Sequence, residues 1–105
     1  MNTLMSLNNK NNIVTLIQSN ITLFESFDKV YLFGSVLDDN KFPNDVDILL
    51  IYSISTDEII EEIDSVLSHL QDLLSISVDL TVLSAEEEQD SQFLKRISPR
   101  CIKVK

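Results

Sequence analysis

The sequence predicts an α/β (α+β) domain: a small mixed β-sheet with helices packed on one face. Three observations predict it. Segments whose apolar residues recur at steps of three and four alternate with short apolar runs. One of those runs, Asp45 to Tyr52, is apolar on both faces beyond Asp47, which suits a strand in the middle of a sheet. Two capping-box patterns, Ser55-Thr56-Asp57-Glu58 and Ser84-x-x-Glu87, stand where helices are expected to open.

The elements follow in order. Residues 1–11 are rich in asparagine, which favours turns and caps over helix interiors, so they are expected to be loosely ordered. From about Asn12, the positions Ile13, Leu16, Ile17, Ile21, Phe24 and Phe27 describe one face of an amphipathic helix running to about Ser26. Strand one is Lys29 to Phe33. It stops at Gly34-Ser35, and a loop closed by Phe42-Pro43-Asn44 leads into strand two, Asp45 to Tyr52. The helix after Thr56 carries Ile59, Ile60, Ile63, Val66, Leu67, Leu70, Leu73 and Leu74 on one stripe. Its acids Asp57, Glu58, Glu61 and Glu62 read as a solvent face favoured by the helix dipole. His69, the only histidine, reads as a surface residue. Strand three is Ile76 to Leu83, and a further helix runs from Ser84 to about Arg96 until Ser98-Pro99 breaks it. Cys101 to Lys105 alternates enough for a short final strand.

At 105 residues the chain is long enough for one domain, spanning 1–105, with a modest core. No apolar run approaches the roughly 20 residues of a membrane helix, and no basic segment followed by an apolar one suggests a signal peptide. The single cysteine, Cys101, excludes an internal disulfide and suits a reducing compartment, so a cytoplasmic location is expected. Seventeen acids against eight bases give a net charge of −9, which argues against general affinity for a nucleic-acid backbone. The bases Lys95, Arg96, Arg100, Lys103 and Lys105 all fall in the last eleven residues. That end reads as a solvated basic tail, with a patch for a partner or for phosphates as the functional alternative.

Chemistry concentrates between Val30 and Tyr52. In a strand, Asp45 and Asp47 project the same way, roughly 7 Å apart along the chain. Two ionised carboxylates there repel each other unless water bathes them or a divalent cation sits between them. Hard oxygen ligands of this kind suit magnesium, which completes its shell with phosphates and water. Gly34 permits backbone angles closed to other residues and close approach of a ligand, and Ser35 can cap a short helix whose free N–H groups favour an anion. In strand three, Ser77, Asp79 and Thr81 share one face, and Val78, Leu80 and Val82 the other. With matched register, Asp79 would join Asp45 and Asp47. The sequence leaves that register open.

Gly34-Ser35, nine residues, Asp45-x-Asp47 and a later Asp79 flanked by apolar residues together resemble the signature of the minimal nucleotidyltransferases of the DNA polymerase beta superfamily. The resemblance spans nearly the whole chain. It implies the polymerase beta-like nucleotidyltransferase fold and a magnesium-dependent transfer of a nucleoside monophosphate, AMP from ATP or its equivalent from another nucleoside triphosphate, to a hydroxyl acceptor. It also implies that Asp45, Asp47 and Asp79 bind two Mg2+ ions, and that Gly34 and Ser35 hold the leaving phosphates. Bare domains of this family often pair with a helical HEPN toxin as its antitoxin, and this chain's acidity would complement a basic partner. Many members carry a base directly after the Gly-Ser pair; here Val36-Leu37-Asp38-Asp39 follow, and Lys41 is the loop's only base. That departure supports an alternative, a non-catalytic binding module that neutralises a partner by contact. An unrelated acidic domain with a chance motif is the third reading. Oligomeric state, a homo-oligomer included, is not legible.

Overall fold

The computed structural model describes residues 10–37 and 45–105. Four strands form one sheet in the order β3-β2-β1-β4: β1 (Lys29–Phe33), β2 (Asp45–Tyr52), β3 (Ser77–Ser84) and β4 (Cys101–Lys103). β1 runs antiparallel to both β2 and β4, whereas β2 and β3 run parallel, so the sheet is mixed. β2 is interior to the sheet, as its two apolar faces require. Val46, Ile48, Leu49 and Leu50 have no exposed surface, and Ile51 is buried. The parallel β2–β3 pair needs a crossover, which the helix α2 (Asp57–Leu74) provides.

One face of the sheet holds the main core. Val30 and Leu32 from β1, Val46, Ile48 and Leu50 from β2, and Val78 from β3 pack with two helices. These are α1 (Lys10–Ser19), through Ile13 and Ile17, and α2, through Ile59, Val66, Leu70 and Leu74. Burying each such side chain contributes about 1.5–3 kcal/mol against the chain entropy lost on folding. The opposite face carries Leu49 and Ile51 from β2, and Phe33 at the end of β1. It is met by the short α4 (Phe93–Ile97), whose Phe93 ring stands edge-on to Phe33 with centroids 5.6 Å apart. The long helices therefore lie on one face, and a single helical turn reaches the other. Among the described residues, no helix is long and apolar enough to cross a membrane.

Several boundaries differ from expectation for identifiable reasons. Residues 1–9 of the asparagine-rich start lie outside the described residues, but Lys10 and Asn11 already belong to α1. α1 ends at Ser19 rather than Ser26. Asn20 folds back there: its side-chain amide donates to the Leu16 carbonyl at 2.8 Å and its backbone N–H to that of Ile17 at 3.0 Å. A 3-10 helix, Ile21–Phe24, follows. Ile21, Phe24 and Phe27 are spaced by three, which matches a 3-10 repeat as well as an α-helical stripe, so the apolar pattern continued although the helix type changed.

The first capping box does not form. α2 has Thr56 as its N-cap, with no side-chain cap hydrogen bond, and this puts the apolar Ile59 where a reciprocating Glu or Gln would be needed. The acids Asp57, Glu58 and Glu61 are exposed as expected, but Glu62 is half-buried, with one carboxylate oxygen lacking a hydrogen-bond partner among the described residues. His69 is exposed, its Nδ1–H donating to the Ser65 carbonyl at 2.9 Å. The second capping box is complete: the Glu87 backbone N–H donates to Ser84 Oγ at 3.0 Å and the Ser84 N–H to Glu87 Oε1 at 2.9 Å. It opens α3 (Ala85–Ser91), which stops well short of Arg96. Gln92 adopts a left-handed conformation (φ 53°) and α4 starts anew. The sequence AEEEQDS offers α3 no apolar stripe, whereas Phe93 and Leu94 arrive as adjacent residues needing burial.

β4 is shorter than Cys101 to Lys105, although the chain stays on β1: Val104 N–H donates to the Val30 carbonyl at 2.8 Å. Lys105 then fastens this end to the start of the domain. Its Nζ donates to the carbonyls of Phe24 and Phe27 at 2.7 and 2.6 Å; the first of these also accepts the Phe27 backbone N–H at 3.0 Å. Lys105→Met keeps the stem but not the donor. It should lower unfolding free energy in urea titration by about 1.5–3 kcal/mol, the range for hydrogen bonds to charged groups.

Candidate active site

The site starts from strand alternation. Asp45 and Asp47 occupy alternate positions at the opening of β2, so both leave the sheet on the face opposite the main core. The parallel register pairs Asp47 with Asp79 and Asp45 with Ser77. This register puts Val46 beside Val78 and Ile48 beside Leu80 on the apolar face, and thereby brings Asp79 to the acidic pair. Carboxylate oxygens of Asp45, Asp47 and Asp79 lie within 4.8 Å of one another. Asp45 and Asp47 are half-buried and Asp79 is exposed. Burial, followed by the like charges of Asp45 and then Asp79, raises the Asp47 carboxyl above its ordinary value.

Such a donor set fits a hard divalent cation. All three ligands are oxygen, each anionic when ionised. Magnesium takes carboxylate oxygens of this kind and completes its shell with water and phosphate, so Asp45, Asp47 and Asp79 are the residues that would hold it.

Gly34 is built against this cluster. β1 ends at Phe33, the cross-strand partner of Asp47, and the next residue opens a 3-10 turn, Gly34–Leu37. Gly34 has φ +84°, and a Cβ there would overlap Asp47 Oδ2 and lie 3.2 Å from Asp47 Cγ. The Asp47 carboxylate occupies the space that a side chain at position 34 would take. Ser35 follows in the same turn, its side chain outside the described part of the molecule. Asp38, Asp39, Lys41 and the Phe42-Pro43-Asn44 closure also lie outside the described residues.

One group was missed by sequence reasoning. Register sets Asp79, Asp47, Phe33 and Cys101 side by side across all four strands, on one face. Phe93 packs on Phe33 with rings at 83°, and the Arg96 guanidinium carbon lies 5.8 Å from the Phe93 ring centroid. The only sequence signal was the basic cluster near the end of the chain. Its placement depends on the break at Gln92, which periodicity did not disclose.

No family model and no curated protein matches the chain. Solved structures do. A toxin–antitoxin structure with AMP-PNP aligns at TM-score 0.57 and 22% identity, covering 92% of this chain and 73% of that one. A tri-AMPylated HEPN toxin in complex with MNT antitoxin, from Shewanella oneidensis, aligns at TM-score 0.52 and 22% identity over 92% and 69% of the two chains. A candidate nucleotidyltransferase from Sulfolobus solfataricus aligns at TM-score 0.52 and 17% identity over 98% and 86%. At these identities the likeness is one of fold: the chain has the nucleotidyltransferase fold that its motif set implies.

Two outcomes follow from this geometry. Gly34→Ala should cost about 1–3 kcal/mol in urea unfolding, and less in an Asp47→Ala background, where only the positive φ remains unfavourable. A carboxyl raised on folding contributes stability that is fully present below its unfolded value, near 3.8, and lost as pH rises through the folded value. Asp47→Asn should therefore be more stable than the metal-free wild type at pH 7, with an advantage that shrinks on acidification through that window.

Proposed function

We propose that the chain is a magnesium-dependent nucleotidyltransferase that moves AMP from ATP to a hydroxyl on a partner protein, acting as the antitoxin of a HEPN toxin. The observation that carries this reading is the convergence of Asp45, Asp47 and Asp79, from two strands, beside the Gly34 turn. The fold shared with complexes of MNT antitoxin and AMPylated HEPN toxin, and with a toxin–antitoxin structure containing AMP-PNP, supports it. The chain's −9 charge favours a basic partner.

Asp45, Asp47 and Asp79 would hold magnesium. When bound, the metal supplies charge stabilisation to the phosphoryl oxygens and lowers the pKa of a coordinated oxygen. The chain's own groups set the geometry. Asp79, the exposed member on the outer strand β3, faces the acceptor and takes its hydroxyl proton. The acceptor oxygen bonds to the α-phosphorus while the bond between the α- and β-phosphates breaks, and pyrophosphate leaves beside the Gly34–Leu37 turn. Rigid strands beneath the acids keep the reactants aligned, which is the main contribution a protein makes to this chemistry.

A second reading keeps the fold without catalysis and neutralises the partner by contact. The sequence Val36-Leu37 directly after Ser35, where the resembled family often places a base, favours it. Calorimetry with Mg·ATP, followed by transfer of labelled AMP to a co-purified HEPN protein, separates the two. The transferase reading expects binding that weakens at least about tenfold in Asp45→Asn/Asp47→Asn and label that moves to the partner. Nucleotide binding without transfer leaves the contact module; absence of Mg·ATP binding to the wild type removes the transferase reading.

A further inference from the structure

We infer that Arg96, carried on the ring of Phe93, is a positioning residue for the phosphates of the nucleoside triphosphate at the acidic site. This inference rests on the nucleotide-transfer reading and names a component that the motif set lacks. Three carboxylates repel a polyphosphate, and the turn after Ser35 begins with Val36-Leu37 rather than a base. A cation arriving from elsewhere in the fold would offset that repulsion.

The contacts identify one. Phe33 is the cross-strand partner of Asp47 and precedes Gly34, so it stands beside Asp47 on the same face and next to the turn. Phe93 stands edge-on to Phe33, and Arg96 lies over Phe93. Two other bases on this face stand at other rungs, Lys29 opposite Ile51 at the far end of β1 and Lys103 opposite Tyr31, and Arg100, beside Cys101, has an interaction of its own. Among the described residues, Arg96 is the base that ring contacts connect to the Asp47 rung. It is exposed, so a phosphate can reach it without displacing packed groups. Its guanidinium can present paired N–H donors to phosphate oxygens, while the aromatic face limits its freedom. The left-handed Gln92 gives the arrangement its origin, because a continuous helix from Ser84 would point residues 93–96 in another direction.

Isothermal titration with Mg·ATP, and separately with Mn2+ alone, tests the assignment in wild type, Arg96→Gln, Arg96→Lys and Phe93→Leu. Arg96→Gln should bind Mg·ATP about tenfold more weakly, with a shallower salt dependence, while Mn2+ binding stays at the wild-type level. Arg96→Lys should recover part of the loss, and Phe93→Leu, which keeps an apolar contact to Phe33, should lose less than Arg96→Gln. Wild-type Mg·ATP affinity in Arg96→Gln overturns the inference and leaves the transferase reading standing. Equal weakening of Mg·ATP and Mn2+ also overturns it, since that marks a structural role. A wild type that binds Mn2+ but not Mg·ATP overturns both.

Discussion

The site depends on the parallel register between β2 and β3. Ladder hydrogen bonds join the two strands, and side chains on the buried face, Val46 beside Val78 and Ile48 beside Leu80, fix which residue lies opposite which. A slip of one position would turn the carboxylates into the apolar layer and bring the valines out to water, a change far too costly for a small domain. Hydrophobic burial on one side of the sheet therefore gathers charges on the other. The acids do not attract one another; they are forced together.

That arrangement has an electrostatic consequence. Asp47 is partly withdrawn from water and faces two other carboxyl groups, so the metal-free domain carries an unfavourable interaction that its packing must offset. Such locally unfavourable clusters are where folds concentrate function at some expense in stability. The rest of the chain is acidic as well, with −9 overall, so relief must come from a bound cation or from the few bases placed nearby. The aromatic pair Phe33 and Phe93 connects these two solutions, the first residue paired with Asp47 across the strands and the second ring lying under a guanidinium.

Much of this was legible in the sequence. The bounds of β1 and β2 followed from apolar runs ending in glycine or beginning in aspartate, and β2, buried on both faces beyond Asp47, left little ambiguity in pattern. Asp45, Asp47 and Asp79 could be named as a set, but only the register joined them, and register is a relation between strands that no single strand encodes. Helix ends were read less well. Ile21, Phe24 and Phe27 satisfied two helical repeats at once, and Thr56 displaced Ser55 as a cap although both residue types favour that position. The break at Gln92 was hidden because glutamine carries no turn signal; tertiary packing of Phe93 on Phe33 decided it.

The chain contains a single glycine, and it sits at Gly34. Ser75 and Gln92 show that ordinary residues tolerate left-handed backbone elsewhere in this domain, so dihedral preference alone does not account for the choice. Position 34 is distinguished by volume, because the acid at position 47 fills the room a methyl group would take. The two positions consequently form one heritable unit. A descendant that abandoned the acid would free its neighbour to drift toward bulkier residues, whereas one that retained the acid could not. Loss of that acid would thus leave a paired scar in the sequence rather than a solitary one.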